Sequence, residues 1–180
     1  IIPCDTLLLS VGLIPENELS KKAGVLLDPV TNGPFVDDHF MTNIPGIFAA
    51  GTVVHVYDLV DWVTEAGYVA GKGAARYALA EKIEKGRPVD LKPGENIRYV
   101  VPHRLNKDHL AEEEVRLQMR AITPIEERVL VTVEDQDGEV IAKKAEAYAR
   151  PGEILSVVLK PKNYEAVQKA TVLTLNVRKR

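Results

Sequence analysis

Hydrophobic and polar positions follow two different periods in the two halves of the chain. Over residues 62–84, apolar and small side chains recur at every third or fourth position, which is the spacing of one face of an α-helix. Over residues 115–121, apolar and polar side chains alternate, as they do in a half-buried β-strand. The pattern therefore predicts a long helix in the first half and β-structure in the second.

Shorter elements are predicted ahead of the long helix. Residues 6–11 form a mostly apolar run of strand length, as expected of a strand covered on both faces. Residues 25–28 and 34–37 are predicted to pair as a hairpin around an Asn-Gly turn. Residues 47–50 are predicted to form a short buried strand that ends at Gly51. The first half thus has the order of an α/β unit with strands, a hairpin and one long helix.

The second half is predicted to be all β. Proline and glycine at positions 93 and 94 predict a linker over residues 89–95. Strand-like runs separated by turn residues follow at 97–102, 115–121, 128–134, 139–149, 154–159 and 171–177. Short antiparallel strands at this spacing are typical of a β-sandwich of the immunoglobulin-like or fibronectin-like kind. The sequence therefore predicts two domains, residues 1–90 and 91–180.

The junction between the short strand and the long helix has the features of a cofactor site. Gly51 ends the strand, and glycine lets the backbone come close to a ligand. The N-terminus of the following helix offers unpaired N–H groups and partial positive charge to an anion. Small residues at Gly67, Gly71 and Ala75 give the predicted helix an edge suited to close approach to a sheet or a cofactor.

Two segments resemble a known family. Residues 42–51, Thr-Asn-Ile-Pro-Gly-Ile-Phe-Ala-Ala-Gly, resemble the flavin-contacting C-terminal signature of the FAD- and NAD(P)-dependent oxidoreductases, the pyridine nucleotide-disulfide oxidoreductase superfamily in the broad sense. Residues 4–17, with Gly12 and Pro15, resemble the segment that leads from the NAD-binding domain of this family back to its FAD domain. The family closes the first signature with an Asp that holds the ribityl chain of FAD. Thr52 stands there, and its hydroxyl can supply a weaker substitute.

The resemblance implies a fold class, cofactors and contact residues. It implies an α/β remnant of an FAD-binding domain followed by the sandwich-like domain, closest to the branch of glycerol 3-phosphate dehydrogenase-associated proteins and sarcosine oxidase α subunits. It implies hydride transfer from NAD(P)H through FAD to an unknown acceptor. The residues expected to contact the cofactor are Gly12, Ala50, Gly51, Thr52, Trp62 and Val63. The alternative to cofactor contact for Trp62 is a packing role. The alternative to the family resemblance as a whole is an unrelated α/β protein with two buried strands that end in glycine.

His55 is the candidate catalytic residue, because it lies where the resemblance places the flavin edge or the substrate. It is either a proton donor, with Asp58 or Asp61 setting its protonation, or a hydrogen-bonded loop residue. For Asp61 we favour a helix-capping role. His103 and His109 lie in a basic loop, where an anion site is possible and a solvated surface is favoured.

Composition narrows the remaining function classes. The 180 residues carry a net charge of -3, which gives no reason to expect a nucleic-acid or membrane partner. Residues 1–90 hold 7 basic and 12 acidic side chains and residues 91–180 hold 16 and 14, which fits two units of different character. Cys4 is the only cysteine, so neither an intrachain disulfide nor a Cys-x-x-Cys pair is possible. No metal site is predicted. The absence of a signal-peptide pattern predicts a cytoplasmic location.

The glycine-rich phosphate loop of the family, Gly-x-Gly-x-x-Gly, does not occur in these 180 residues. We therefore expect the chain to be the C-terminal part of a longer or processed flavoprotein, inactive by itself. Its expected partners are the missing N-terminal part, a small-molecule redox substrate, and a second copy or a partner subunit. The alternative is a non-catalytic module whose β-sandwich docks a partner subunit, with open strand edges that favour self-association.

Overall fold

The computed structural model describes residues 1–10, 12–79 and 88–180, and regular structure is divided unequally among them. The described helices are α1 (Glu18–Lys22), α2 (Val60–Ala78), α3 (His109–Glu112) and α4 (Tyr164–Lys169), with single 3-10 turns at Gly51–Val53 and Pro161–Asn163. The described strands are β1 (Pro88–Pro93), β2 (Ile97–Val101), β3 (Arg104–Asn106), β4 (Val115–Ala121), β5 (Val129–Glu134), β6 (Val140–Glu146), β7 (Leu155–Leu159) and β8 (Val172–Lys179). This is a mixed α/β fold. We call residues 12–79 the first region and residues 88–180 the β region.

The strands of the β region form two sheets. One has the order β3-β1-β8-β5-β6, and the other has the order β2-β4-β7. The strands β1 and β8 run parallel, whereas the other described pairs are antiparallel. Residues from both sheets, including Leu117, Met119, Leu173 and Leu175, belong to one buried cluster. Burying one such side chain stabilises the fold by about 1.5–3 kcal/mol. Because this cluster has more buried members than the other apolar cluster of the described chain, it is the main apolar core.

Two sequence predictions for the β region are wrong in detail. Residues 88–93 form strand β1, where a linker over residues 89–95 was expected. Val89 and Leu91 alternate with exposed residues and fill the core, and this apolar signal outweighs the flanking prolines. The parallel pair of β1 and β8 also departs from an all-antiparallel sandwich. The division into domains at residue 90 stays a prediction.

The first region rests on the β region through a smaller apolar cluster. Helix α2 contributes Ala66 and Ala70 to it, and strand β2 contributes Tyr99 and Val101. The remaining buried members come from the irregular segments of the first region: Val36, Phe40, Val54 and Tyr57. Because β2 supplies two of the buried side chains, the apolar cluster of the first region is incomplete without the β region.

The short strands predicted for the first region are not formed. The predicted hairpin and the strand at 47–50 are reduced to single bridges, Leu27 to Pro34 and Met41 to Phe48. Residues 1–10 have no helix or strand, and Leu8 is 90% exposed; the end of the predicted strand, Val11, lies outside the described residues. A ladder needs a neighbouring strand, and the described chain places none beside residues 1–10.

The long helix begins two residues earlier than predicted and buries a different face. Helix α2 covers Val60–Ala78, and the predicted end at residue 84 lies outside the described residues. Its buried face holds Ala66, Ala70 and Gly73, whereas Gly67 and Gly71 are exposed with no heavy atom near their Cβ positions. The predicted small-residue edge is therefore open rather than packed on a sheet. No described helix combines the length and the apolar character required to cross a bilayer.

Candidate functional site

The segment that ends at Gly51 is a tight loop. Thr42 donates its backbone N–H to the carbonyl of Ile47 over 2.9 Å, and its hydroxyl accepts the N–H of Ile44 over 3.1 Å. Gly46 completes the turn at a φ of 84°, a conformation that favours glycine. Thr42 and Gly46 therefore shape the approach of the chain to residue 50.

Gly51 and Thr52 open the 3-10 turn that follows this loop. Gly51 is buried at a φ of 79°, and a Cβ there would meet only the Val63 side chain, at 3.3 Å. Ala50, in extended conformation, and Thr52 are both half-buried. A larger residue at position 51 would be strained by its backbone rather than by crowding. The structure thus brings Gly51 and Val63, two of the predicted contact residues, side by side.

The N-terminus of α2 is open. Its N-cap is Leu59, in extended conformation, and no side chain caps the helix. The expected cap, Asp61, is wrong: it lies within the first turn, where its charge still favours the helix dipole. Val60 and Asp61 are exposed, and Trp62 is half-buried beside Arg116, 5.5 Å from its guanidinium. The N–H of Trp62 donates to the Leu59 carbonyl over 3.2 Å, and those of Val60 and Asp61 are left available to an anion.

Asn17, at the end of the first family-like segment, connects that segment to the turn that begins at Gly51, a role that the sequence did not predict. Its side-chain amide donates to the carbonyls of Asn32 and Val53, both over 2.8 Å. Gly33 lies so close to Val54 that an added Cβ would fall 1.7 Å from the Val54 carbonyl oxygen. The only feature of the sequence that pointed to Asn17 is its position in the family-like segment, two residues after Pro15.

Gly12, the predicted contact residue of the first family-like segment, is exposed at a φ of 96° with no heavy atom within 4 Å of its Cβ position.

His55 lies in a buried polar cluster between the two regions. Its ring is 1% exposed, its Nδ1 lies 3.2 Å from the Tyr99 hydroxyl, and it packs 4.2 Å from the Tyr57 ring, centroid to centroid. Burial, and secondly the positive charge of Arg120, lowers the pKa of His55 to about 4, so the ring is neutral near pH 7. Gln118 favours protonation, yet it makes no well-aligned hydrogen bond to Nε2, which has no partner among the described residues. A catalytic role for His55 stays a prediction.

Arg120 ties this cluster to the first region. It donates to the Tyr99 hydroxyl over 3.0 Å, to the Val56 carbonyl over 2.9 Å, and to the Asp58 carboxylate. The second carboxylate oxygen of Asp58 accepts the backbone N–H of Ile154 over 2.6 Å. Asp58 therefore serves as an anchor between the regions, and it does not pair with His55.

The basic loop of the β region is not the solvated surface that the sequence favoured. His103 is buried, accepts the N–H of Val36 at Nδ1 over 3.1 Å, and lies 3.4 Å from the carboxylate of Asp28. Lys107 donates to the carbonyls of Gln168 and Ala170, at the end of α4. Both side chains are occupied by internal partners, so the alternative anion site also loses support.

His109, the other histidine of the basic loop, lies in a polar cluster with Asp38 and His39. Its Nδ1 lies 2.9 Å from Asp38 Oδ2, and its ring lies 3.9 Å from that of His39. Asp38, His39 and His109 each offer a donor atom suited to a metal ion. Sequence reasoning missed this group because 71 positions separate Asp38 from His109.

Comparison with known proteins gives one match. Residues 1–85 match the family model described as pyridine nucleotide-disulphide oxidoreductase, whose members generally bind FAD and NAD(P)H. The match spans both segments that carry the resemblance and supports an oxidoreductase function at the level of the superfamily. No curated protein and no solved structure matches the chain.

Proposed function

We propose that the first region forms the flavin-facing, C-terminal part of an FAD-dependent oxidoreductase that transfers hydride from NAD(P)H through FAD to a small-molecule acceptor. The observation that carries the proposal is the family match over residues 1–85, which includes the loop at 42–51 and the turn at Gly51. The branch that includes glycerol 3-phosphate dehydrogenase-associated proteins is the finer assignment that we propose.

The residues present fit a flavin. Gly51 holds a positive φ that places backbone, with no side chain, at the start of the turn. Thr52 can donate its hydroxyl to the polar chain of the cofactor, in the position where the family has Asp. The uncapped N-terminus of α2 offers N–H groups and positive potential beside Trp62 and Val63.

These groups bind and orient, whereas the cofactor carries the reaction. FAD, when bound, supplies a centre that accepts hydride from NAD(P)H and passes it to the acceptor. The N–H groups of α2 would stabilise negative charge on the neighbouring ring, and this effect is strongest where water is excluded. His55 is neutral and buried, which suits a hydrogen-bond link to Tyr99 better than direct proton donation.

The apolar surface of the first ten residues supports association with further polypeptide. Leu7, Leu8 and Leu9 are all largely exposed, and they follow one another in the segment that the family match includes. Consecutive exposed leucines indicate a surface that another element covers. We propose that polypeptide carrying the glycine-rich phosphate loops covers it and supplies most of the contacts to FAD and NAD(P)H.

The test is the flavin content of the protein purified at its natural length, with two glycine variants compared. Gly51→Val forces a β-branched residue into positive φ beside Val63 and should remove most of the bound flavin. Gly67→Ala is the matched control, because nothing lies within 4 Å of its Cβ position. Retention of flavin by both variants would contradict the assigned contact, and absence of flavin from the unaltered protein would contradict the function.

The 180 residues by themselves should neither bind FAD tightly nor oxidise NADH. Tight FAD binding in this family requires a phosphate loop, and the loop sequence is not among these residues. Colour that appears only when the polypeptide with the phosphate loops is added would support the proposal. A yellow preparation of the 180 residues alone would contradict it.

The non-catalytic alternative has one supporting feature. Strand β6 ends the five-stranded sheet, and all of its residues are exposed or half-exposed, so an edge is open to a partner. Lys143 and Lys144 lie on that edge, and charged side chains of this kind disfavour strand pairing. Loss of partner binding on deletion of residues 88–180, with hydride transfer intact, would favour this alternative.

A further inference from the structure

A polar cluster at the junction of the two regions gathers Asp38 and His39 from the first region and His109 from the β region. Each side chain offers one ligand atom, and the three atoms lie within 4.8 Å of one another. Asp38 and His39 are buried, and the His109 side chain is 17% exposed. We propose that these three side chains bind one divalent transition-metal ion of the zinc class, which joins the two regions.

A tight turn presents the two ligands of the first region. Asp37 Oδ1 accepts the backbone N–H groups of His39 and Met41, both over 2.9 Å, and the Asp37 carbonyl accepts the N–H of Phe40 over 2.9 Å. Phe40 closes the turn at a φ of 63°, which is uncommon for a bulky residue. The turn is therefore held by its own hydrogen bonds, and Asp38 and His39 are left to face the β region.

Asn106 orients the ligands on the other side. Its backbone N–H donates to Asp38 Oδ1 over 2.8 Å, and its side-chain nitrogen lies 3.3 Å from His109 Nε2. The Asp38 Oδ2 and His109 Nδ1 atoms are left facing each other at 2.9 Å. Partners of this kind on the outer atoms of metal ligands fix their orientation in known sites.

Helix α2 packs against His39, the remaining proposed ligand. A Cβ at Gly73 would lie 2.9 Å from the His39 Cβ and 3.0 Å from its carbonyl oxygen. The helix can therefore pack on His39 only because position 73 has no side chain. The ring of His39 lies against that of His109 and makes no hydrogen bond within the described chain, so its nitrogens are free to bind an ion.

The donor set selects the class of ion. Two imidazoles and one carboxylate suit zinc and its neighbours, whereas calcium and magnesium prefer six or more oxygen ligands. Bonds of about 2.0–2.1 Å in tetrahedral geometry place ligand atoms roughly 3.3 Å apart. The 2.9 Å separation of Asp38 and His109 would widen by only about 0.4 Å. Three protein ligands leave one position for water.

The charges around the cluster are compatible with a cation. Burial lowers the pKa of His39, so its lone pair is available near neutral pH. Lys72 and Arg76 approach from α2, but both pair with Glu113, at 2.8 and 2.7 Å. The ion would lie between Asp38 Oδ2 and His109 Nδ1, which face each other at 2.9 Å.

The test is calorimetric titration of the metal-free, untagged chain with zinc chloride, and a parallel titration with cobalt(II) followed by its visible spectrum. All proteins carry Cys4→Ser, because the exposed thiol is a competing ligand. The parent should bind one equivalent, and His39→Gln and His109→Gln should each weaken binding at least tenfold. His55→Gln is the matched control, a buried histidine outside the cluster, and should bind as the parent does.

The nitrogen resonances of the histidine side chains give a readout that needs no variant at these positions. Zinc should shift the signals of His39 and His109 and leave those of His55 and His103 in place. No binding to the folded parent, equal binding by all variants, or shifts confined to His55 and His103 would each overturn the proposal. The flavin function does not depend on this site, so the failure of either leaves the other standing.

Discussion

The first region and the β region bury their apolar residues in different ways. The β region has two sheets over one core that includes fully buried residues such as Leu117, Leu159 and Leu173. The first region has one long helix, two isolated bridges, and an apolar cluster completed by Tyr99 and Val101 of strand β2. The comparison teaches that the first region is held in shape by the sheet on which it rests, with His55, Asp58 and Asp38 at the contact.

The largest expected effect comes from the core of the β region. Leu117→Ala should lower the free energy of unfolding by about 2–5 kcal/mol, because it removes a fully buried side chain and leaves a cavity. Trp62, the only tryptophan, reports on the first region, and circular dichroism reports on the strands. Both signals should shift together to lower denaturant concentration, with exposed Leu19→Ala as the neutral control. A Trp62 transition that stays in place would show an independent first region.

The next effect concerns acid stability. The folded pKa of His55 is about 4, below the ordinary value of 6.5, so the unfolded chain binds this proton more tightly. The contribution of neutral His55 to the free energy of unfolding is fully present above pH 6.5. It is lost as the pH falls toward 4, and the total loss is about 3 kcal/mol.

His55→Asn should remove that part of the pH dependence. The amide can keep an acceptor near the Tyr99 hydroxyl and does not titrate. The measurement is urea unfolding at several pH values between 4 and 7, and the difference between the two proteins isolates the contribution of His55. Parallel curves for the two proteins would contradict the assignment.

A smaller effect is expected where Arg120 joins the regions. Arg120→Gln removes its bond to Asp58 and weakens those to Tyr99 and Val56, at a cost of roughly 1–3 kcal/mol. Amide hydrogen exchange should accelerate in residues 55–79 and not in strands β5 and β8. Arg120→Lys keeps the charge without the fork geometry and should give an intermediate result. Uniform acceleration across both regions would contradict a local tether.

The smallest effect is expected at the exposed contact of Arg116 with Glu65, which lies at 3.0 Å beside Trp62. Arg116→Gln should change stability by less than about 1 kcal/mol, because exposed ion pairs are largely offset by hydration. Raising the salt concentration should reduce the difference further. A large, salt-independent loss would mean that this contact is far better shielded than its exposure indicates.

The sequence predicted the β region better than the first region for a physical reason. Strand β4 occupies the alternating run that predicted it, residues 115–121, because each of its faces meets a different environment. Residues 6–10, the described part of the predicted strand at 6–11, are mostly apolar but meet no neighbouring strand in the described chain, so hydrophobicity by itself did not indicate a strand there. Strand β1 was missed because prolines at both of its ends resemble a linker.

The candidate site was predictable only where its residues are close in sequence. The loop at 42–51 and the turn at Gly51 were recognised from a contiguous motif. The cluster of Asp38, His39 and His109 and the link from Asp58 to Arg120 join residues of both regions. Such contacts leave no periodic pattern in the sequence, because they form only when the first region packs on the sheet.

The most direct test of the central claim is anaerobic mixing of the protein, purified at its natural length, with NADH and with NADPH. At least one of the two nucleotides should bleach the visible absorption band of bound flavin and yield oxidised nicotinamide in equal amount. A folded protein without flavin, or a bound flavin that neither nucleotide reduces, would contradict the proposed oxidoreductase function.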